Sequence, residues 1–359
     1  MDRAGDRHLE LAALEDAAAA VVMLAAATLR DRFAAGVRPE QVEFKDKQQR
    51  DPVTAIDRAV EALVRAELRA RFPTHGILGE EGTADAVDSG LLWVLDPIDG
   101  TANFASGLPF YGLSLALLQA GEPIVGCLYV PFWPGSGEGD VLRASKGNGA
   151  RIGGTTIRLE RRAFRPSGPV AVPPGLRAMF AVNGDLAKRP GEARNLGSIV
   201  AEIAMVATGG FQYAVFGGPK LWDVAAGAVI VREAGGASLT WEGGRWRPIE
   251  RFRPPNPDPP KKPKRGEQSP PPLKPKTLRD WSQPVLVAAP GAAGHAGRGL
   301  VPRRPPPRAL LWAYKQRRTA RDWWRKRRGK VDPKPDQASS GPPAAPAAPG
   351  ESGPPTPAP

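Results

Sequence analysis

The stretch from Trp93 to Phe104 reads WVLDPIDGTANF, an apolar strand running into two carboxylates, Asp96 and Asp99, on either side of Pro97 and Ile98. A strand end followed by a proline-bent turn can aim both acids at one point. Hard oxygen donors of this kind, peptide carbonyls included, suit Mg2+. Gly100, Thr101 and Ala102 come next and can open a helix, whose free N–H groups and dipole would receive a phosphate. A cation site beside an anion cradle is what metal-assisted phosphate hydrolysis requires. Taken alone, a DPIDG string is equally well a type I turn capped by its aspartates.

Three further segments put acids beside glycines or at element ends: DPVTAID, ending in Asp57; GILGEEG, with Glu80 and Glu81; and LWDVAAGAVIVREAGG, headed by Asp223. Each has a plainer reading. Asp57, in a helical pattern beside Arg58 and Glu61, reads as a surface residue, Glu80 and Glu81 as a solvated loop pair, and Asp223 as a helix N-cap.

These residues need elements to hold them. Apolar spacing predicts a helix from Leu9 to Phe33 and a second carrying Ile56, Val60, Leu63, Val64 and Leu68 on one face. LLWVL, LSLALLQ and PIVGCLYV read as strands, as do VLRAS, GARIGGTTIRL, FQYAVF and SQPVLVAAP. A helix from about Gly197 to Thr208 and another ending at Gly235 and Gly236 complete the pattern. Strand groups alternating with helical groups predict layered α/β structure.

The net charge of +13 suggests an anionic partner until its location is considered. Residues 251–359 hold 23 Lys and Arg against 7 Asp and Glu, whereas residues 1–250 hold 27 against 30. A mildly acidic body therefore carries a basic tail. Residues 254–275, rich in Pro and Lys, cannot build a packed core and read as a linker or insertion. The ordered body is expected to span residues 1–290, with residues 291–359 as a basic, Pro/Ala-rich tail. Within the tail, residues 309–330 interleave Arg and Lys with Trp312, Tyr314, Trp323 and Trp324, a composition able to contact nucleic acid or an anionic surface.

The single cysteine, Cys127, excludes an internal disulfide, and MDRAGDRHLE lacks the basic n-region of a secretory signal. Both fit a cytoplasmic protein. The apolar run from Ala17 to Leu29 is too short to span a bilayer and reads as a buried Ala-rich helix.

Together, WVLDPIDGTANF, LWDVAAGAVIVREAGG, GEEG, DPVTAID and ASKGNGARIGG resemble, in order and approximate spacing, the motifs of the inositol monophosphatase family of Mg2+-dependent phosphatases. The resemblance covers roughly residues 10–290. It implies an αβαβα sandwich of the inositol monophosphatase/fructose-1,6-bisphosphatase type, and a homodimer. It also implies that Glu80, Asp96, the carbonyl of Ile98, Asp99 and Asp223 ligate two or three Mg2+ ions. On the same pattern, Thr101 and Asp57 orient the attacking water, Gly100 and Thr101 bind phosphate through their N–H groups, and Glu81 and Lys45 or Lys47 assist.

On the same resemblance, Ser198 and Phe216 would stand at substrate-facing positions. Phe216 replaces a glutamate that many inositol phosphatases carry, and Glu202 stands where small or apolar residues are usual. The implied reaction is hydrolysis of a small polyol or sugar phosphate. Fructose 1,6-bisphosphate, histidinol phosphate and 3′-phosphoadenosine 5′-phosphate are the alternatives on the same fold.

Overall fold

The computed structural model describes residues 3–36, 42–44, 52–82, 84, 89–132, 139–159, 163–254 and 275–303. Lys45, Lys47, the Pro/Lys-rich segment and the basic stretch 309–330 lie outside the described residues.

Helix α1 (Arg3–Ala35) leads to strands β1 (Val42–Phe44) and β2 (Pro52–Thr54) and helix α2 (Ala55–Arg71). Strand β3 (Gly76–Gly79), β4 (Leu91–Asp99), the short helix α3 (Thr101–Ala105), β5 (Gly112–Gln119), β6 (Glu122–Val130), β7 (Asp140–Ser145), β8 (Ala150–Ile152) and β9 (Thr155–Ile157) follow. The second half contains β10 (Pro169–Ala171), α4 (Leu176–Met179), β11 (Phe180–Val182), α5 (Gly184–Lys188), β12 (Glu192–Arg194), α6 (Ile199–Ala207) and β13 (Tyr213–Phe216). It ends with α7 (Leu221–Glu233), β14 (Ala237–Glu242), β15 (Arg245–Pro248), α8 (Pro275–Leu278), β16 (Val285–Ala288), α9 (Pro290–Gly299) and β17 (Leu300–Pro302).

Two sheets organise these elements: β3-β4-β5-β6-β7-β8-β9 and β12-β10-β13-β16-β14-β15. Strand alternation sorts the core. Trp93 and Leu95 of β4, with Leu113, Leu115 and Leu117 of β5, face α1 and α2, whereas Leu92, Val94, Ala116 and Leu118 face α6 and α7. On the second sheet Ala214, Phe216, Val285 and Val287 meet the same helix pair. Tyr213, Val215, Leu286 and Ala288 turn the other way, toward Leu186 of α5 and Ala292 and Ala296 of α9. The layers run helix, sheet, helix, sheet, helix, which is the αβαβα sandwich expected.

Helix α1 is longer than its apolar run suggested. Its Arg7–Ala35 portion is long and apolar enough, by length and composition, to cross a membrane. In this fold Ala18, Val22, Ala25 and Leu29 are fully buried in the core shared with α2 and the first sheet.

The body also extends beyond the boundary expected near Pro290. Helix α9 packs Ala292 and Ala296 into the outer layer, and β17 pairs with β11, Leu300 opposite Val182. The segment PGAAGHAGRGL has the same Pro/Ala/Gly-rich composition as the residues after it, and composition alone does not show that it packs.

The central helix pair sits very close to the first sheet. A Cβ on Gly126 of β6 would lie 2.3 Å from the Ala226 carbonyl oxygen of α7, a backbone atom that cannot step aside. Gly126→Ala is expected to destabilise the fold by about 2–3 kcal/mol or more, lowering the melting temperature by about 5–10 °C in calorimetry.

Candidate metal and phosphate site

Strand β4 does not end before its aspartates; it continues through them with a bulge. Asp96 pairs with Ser114 and Asp99 with Gly112, so Pro97 and Ile98 occupy the span that Leu113 alone fills on β5. In a regular strand, residues three apart face opposite sides. The extra residue restores the phase, and both aspartates face the α6/α7 layer. The bulged strand thus does what the expected turn was to do.

Asp223 comes to the same place from α7. It occupies the third position of the helix rather than the N-cap, and its Oδ2 accepts the Lys220 N–H at 2.8 Å. Ligand oxygens of Asp96, Asp99 and Asp223 lie within 4.8 Å of one another. Glu80, in the loop after β3, is hydrogen-bonded to Asp96, and its own N–H donates to the Leu95 carbonyl at 3.1 Å.

Charge crowding is evident in the acid strengths. Burial, reinforced by Glu80, Asp99 and Asp223, pushes Asp96 well above the usual carboxylate range. Asp223 is raised likewise, first by burial and then by Asp99. Asp99 is pushed up to about 6 by burial, with the Ser198 hydroxyl and the Val200 N–H pulling the other way. Buried oxygens that repel one another are a donor set fitted to a hard dication.

The remaining expected residues assemble around this cluster. Asp57 is not on the surface; it is 2% exposed on α2, with its Oδ1 3.3 Å from Thr101 Oγ1. Thr101 Oγ1 is also 2.8 Å from the Ile98 carbonyl oxygen. Gly100 caps α3 with φ 82°, and a Cβ there would lie 2.9 Å from the Phe110 carbonyl oxygen, so the turn into α3 calls for glycine.

The hydroxyl of Ser198 is spent within the protein. It donates to Asp99 Oδ2, accepts the Ala201 N–H at 3.1 Å and caps α6, so Asp99 sits at the positive end of that helix. Ser198, Phe216 and Lys220 line, with Asp99, Asp223 and Glu202, a cavity of about 380 Å3. Glu81 turns its N–H to Glu61 Oε2 at 2.8 Å.

Glu202 is the misfit that the sequence flagged, and it is buried at 4% exposure in the wall of this cavity. It accepts the Leu196 N–H at 2.7 Å. Burial pushes it up to about 7; the Leu196 N–H opposes this and the Asp99 charge adds to it. A carboxyl with a raised folded value contributes a stability penalty that is absent at low pH, grows up to about pH 7 and stays constant above. Glu202→Gln is therefore expected to raise stability at pH 8 by about 1–3 kcal/mol and leave it nearly unchanged at pH 4.5. Thermal melts of metal-free protein at both pH values would show this.

Sequence reasoning did not find Arg279 or Glu61, which hold the Glu80 loop from opposite sides. Neither lies in a motif, and only their contacts reveal them.

Residues 10–264 match the model of the inositol monophosphatase family. The chain is 33% identical over 214 residues to the Nus factor SuhB of Pasteurella multocida, covering 58% of this chain and 78% of that protein. It is 31% identical over 206 residues to the fructose-1,6-bisphosphatase/inositol-1-monophosphatase of Aquifex aeolicus, covering 56% and 75%. Among solved structures, the Thermotoga maritima IMPase superposes with a TM-score of 0.58 at 25% identity, covering 79% of this chain and 94% of that one.

Proposed function

Since this chain belongs to the inositol monophosphatase family, we propose that it hydrolyses a phosphate monoester of a small polyol or sugar with Mg2+ held by Glu80, Asp96, the Ile98 carbonyl, Asp99 and Asp223. The observation that carries this reading is the convergence of three carboxylates within 4.8 Å, Asp96 and Asp99 buried and Asp223 half-buried, next to the Thr101–Asp57 pair. Bound there, the ions would supply the positive charge that offsets the charge developing on the phosphoryl group during hydrolysis.

The chain's own groups do the rest. Thr101 directs its O–H toward Asp57 or the Ile98 carbonyl and so turns a lone pair toward the attacking water, which it orients. As Thr101 Oγ1 takes a proton from that water it hands its own to Asp57 Oδ1, so that Asp57 ends neutral and the water attacks as hydroxide. The N–H groups of Gly100 and Thr101 bind the phosphate at the start of α3. The leaving alcohol occupies the cavity between Phe216, Lys220 and Glu202, where polar and apolar walls meet.

With Mg2+ present, turnover of inositol 1-phosphate, fructose 1,6-bisphosphate, histidinol phosphate and 3′-phosphoadenosine 5′-phosphate should be compared. Polyol or sugar phosphates are expected to be preferred; activity on the nucleotide alone would overturn that ranking, and activity on none would overturn the assignment.

A second reading concerns the basic region. Several relatives bear the name Nus factor SuhB rather than that of a hydrolase, and residues 251–359 hold 23 Lys and Arg against 7 Asp and Glu. On this reading residues 309–330 bind nucleic acid. Truncation after Arg303, which spares α9 and β17, should abolish salt-sensitive RNA binding and leave phosphatase activity intact. No RNA binding by the full chain at low salt would end it.

A further inference from the structure

Three backbone carbonyls of the Glu80 loop converge on one side chain from late in the sequence. Arg279 Nη1 donates to the Gly79 oxygen at 3.0 Å and to the Gly82 oxygen at 2.6 Å, and Nη2 donates to the Glu80 oxygen. Its Cζ lies 5.6 Å from the centre of the Trp222 ring. Trp222 immediately precedes Asp223, and its carbonyl accepts the Ser114 hydroxyl at 2.8 Å. One guanidinium therefore touches both the loop that delivers Glu80 and the helix start that delivers Asp223.

The loop is gripped from the other side as well. Glu61 of α2 accepts the Glu81 N–H through Oε2 and the Arg65 Nε–H through Oε1, each at 2.8 Å. The fit is close: a Cβ on Gly79 or Gly82 would lie 2.4 Å from Glu61 Oε1. The loop's N–H side is thus held by Glu61 and its carbonyl side by Arg279, while the Glu80 side chain meets Asp96. Arg279 is itself fixed by its neighbours. Leu278 and Trp281 are buried in the central core, and Trp281 packs edge-on against Phe252 at 4.9 Å.

We propose that Arg279 is a positioning residue for the metal centre: by clamping the Glu80 loop to the start of α7, it sets the affinity of the site for Mg2+. This rests on the reading of the acidic cluster as a Mg2+ site. Arginine suits the task because its planar fork reaches three carbonyls while its face stacks on an indole; a lysine ammonium does one or the other. Nearby partners that fix a ligand's orientation typically govern metal affinity by about 10- to 100-fold.

The full-length wild type, Arg279→Lys, Arg279→Met and Glu80→Gln should be compared by calorimetric titration with Mg2+, by Mg2+ dependence of turnover, and by metal-free melting. The expected result is a Mg2+ dissociation constant raised about 10- to 100-fold in Arg279→Met and less in Arg279→Lys. The maximal rate at saturating Mg2+ should fall by less than the affinity does. Wild-type Mg2+ affinity in both Arg279 variants, with only the melting temperature lowered, would overturn the positioning role alone. No Mg2+ binding by the wild type would overturn the metal reading, and this proposal with it.

Discussion

Asp96→Asn is expected to lower Mg2+-dependent turnover by about 1,000-fold or more while making the metal-free protein more stable. Asn keeps the shape, and its side-chain oxygen still accepts the Ile98 N–H that Asp96 Oδ1 accepts at 3.1 Å. What disappears is one negative charge from a buried group whose acid strength is already suppressed by burial and by Glu80, Asp99 and Asp223. Because the folded protein holds protons on this cluster more tightly than the unfolded chain does, metal-free wild type gains stability as pH falls from 8 toward 4. The stabilisation by Asn is therefore largest near pH 8 and shrinks as the pH is lowered. Added Mg2+ reverses the order, since only wild type retains the full donor set. Turnover assays with paired melts, with and without EDTA, test both halves. An Asn variant with wild-type turnover would remove Asp96 from the centre.

The second large effect concerns the water rather than the metal. Thr101→Val is nearly isosteric but removes the hydroxyl between Asp57 Oδ1 and the Ile98 oxygen. A loss of about 100- to 10,000-fold in kcat is expected, with Mg2+ affinity little changed because no proposed ligand is lost. Asp57→Asn should give a similar loss, and the double variant should be no worse than the poorer single one, because the two side chains act as a unit. Additive losses would show that Thr101 and Asp57 act separately. Comparing kcat with calorimetric Mg2+ binding in all three variants separates these outcomes.

Much of the architecture was legible in the order of apolar runs. The strands from β4 to β7, the helices α1, α2, α6 and α7, and the acids at their ends follow from apolar patterning and from Asp, Gly and Pro at element boundaries, whereas GARIGGTTIRL, read as one strand, is the hairpin of β8 and β9. Short elements were not legible. Strands β10, β11, β12 and β17 are three residues each, too short to show a period, and exist because neighbouring strands supply their hydrogen bonds. The continuation of the body past Pro290 through α9 and β17 has the same cause: what α9 covers decides its order, not its composition.

For the site, the sequence alone determined which side chains are available and what they can bind: hard oxygens beside a glycine-opened helix, with Asp96 and Asp99 three residues apart. Local structure could not decide how they meet. The same-face placement of Asp96 and Asp99 depends on a bulge defined only against β5, and the burial of Asp57 depends on the packing of α2. Asp223 is satisfied locally by the Lys220 N–H whether or not a metal centre exists. Only the docking of α7 between the two sheets carries its carboxylate to the others. Convergence of groups from distant segments is a property of packed layers, because no term in the local chain energy connects residues that are not neighbours until the layers close.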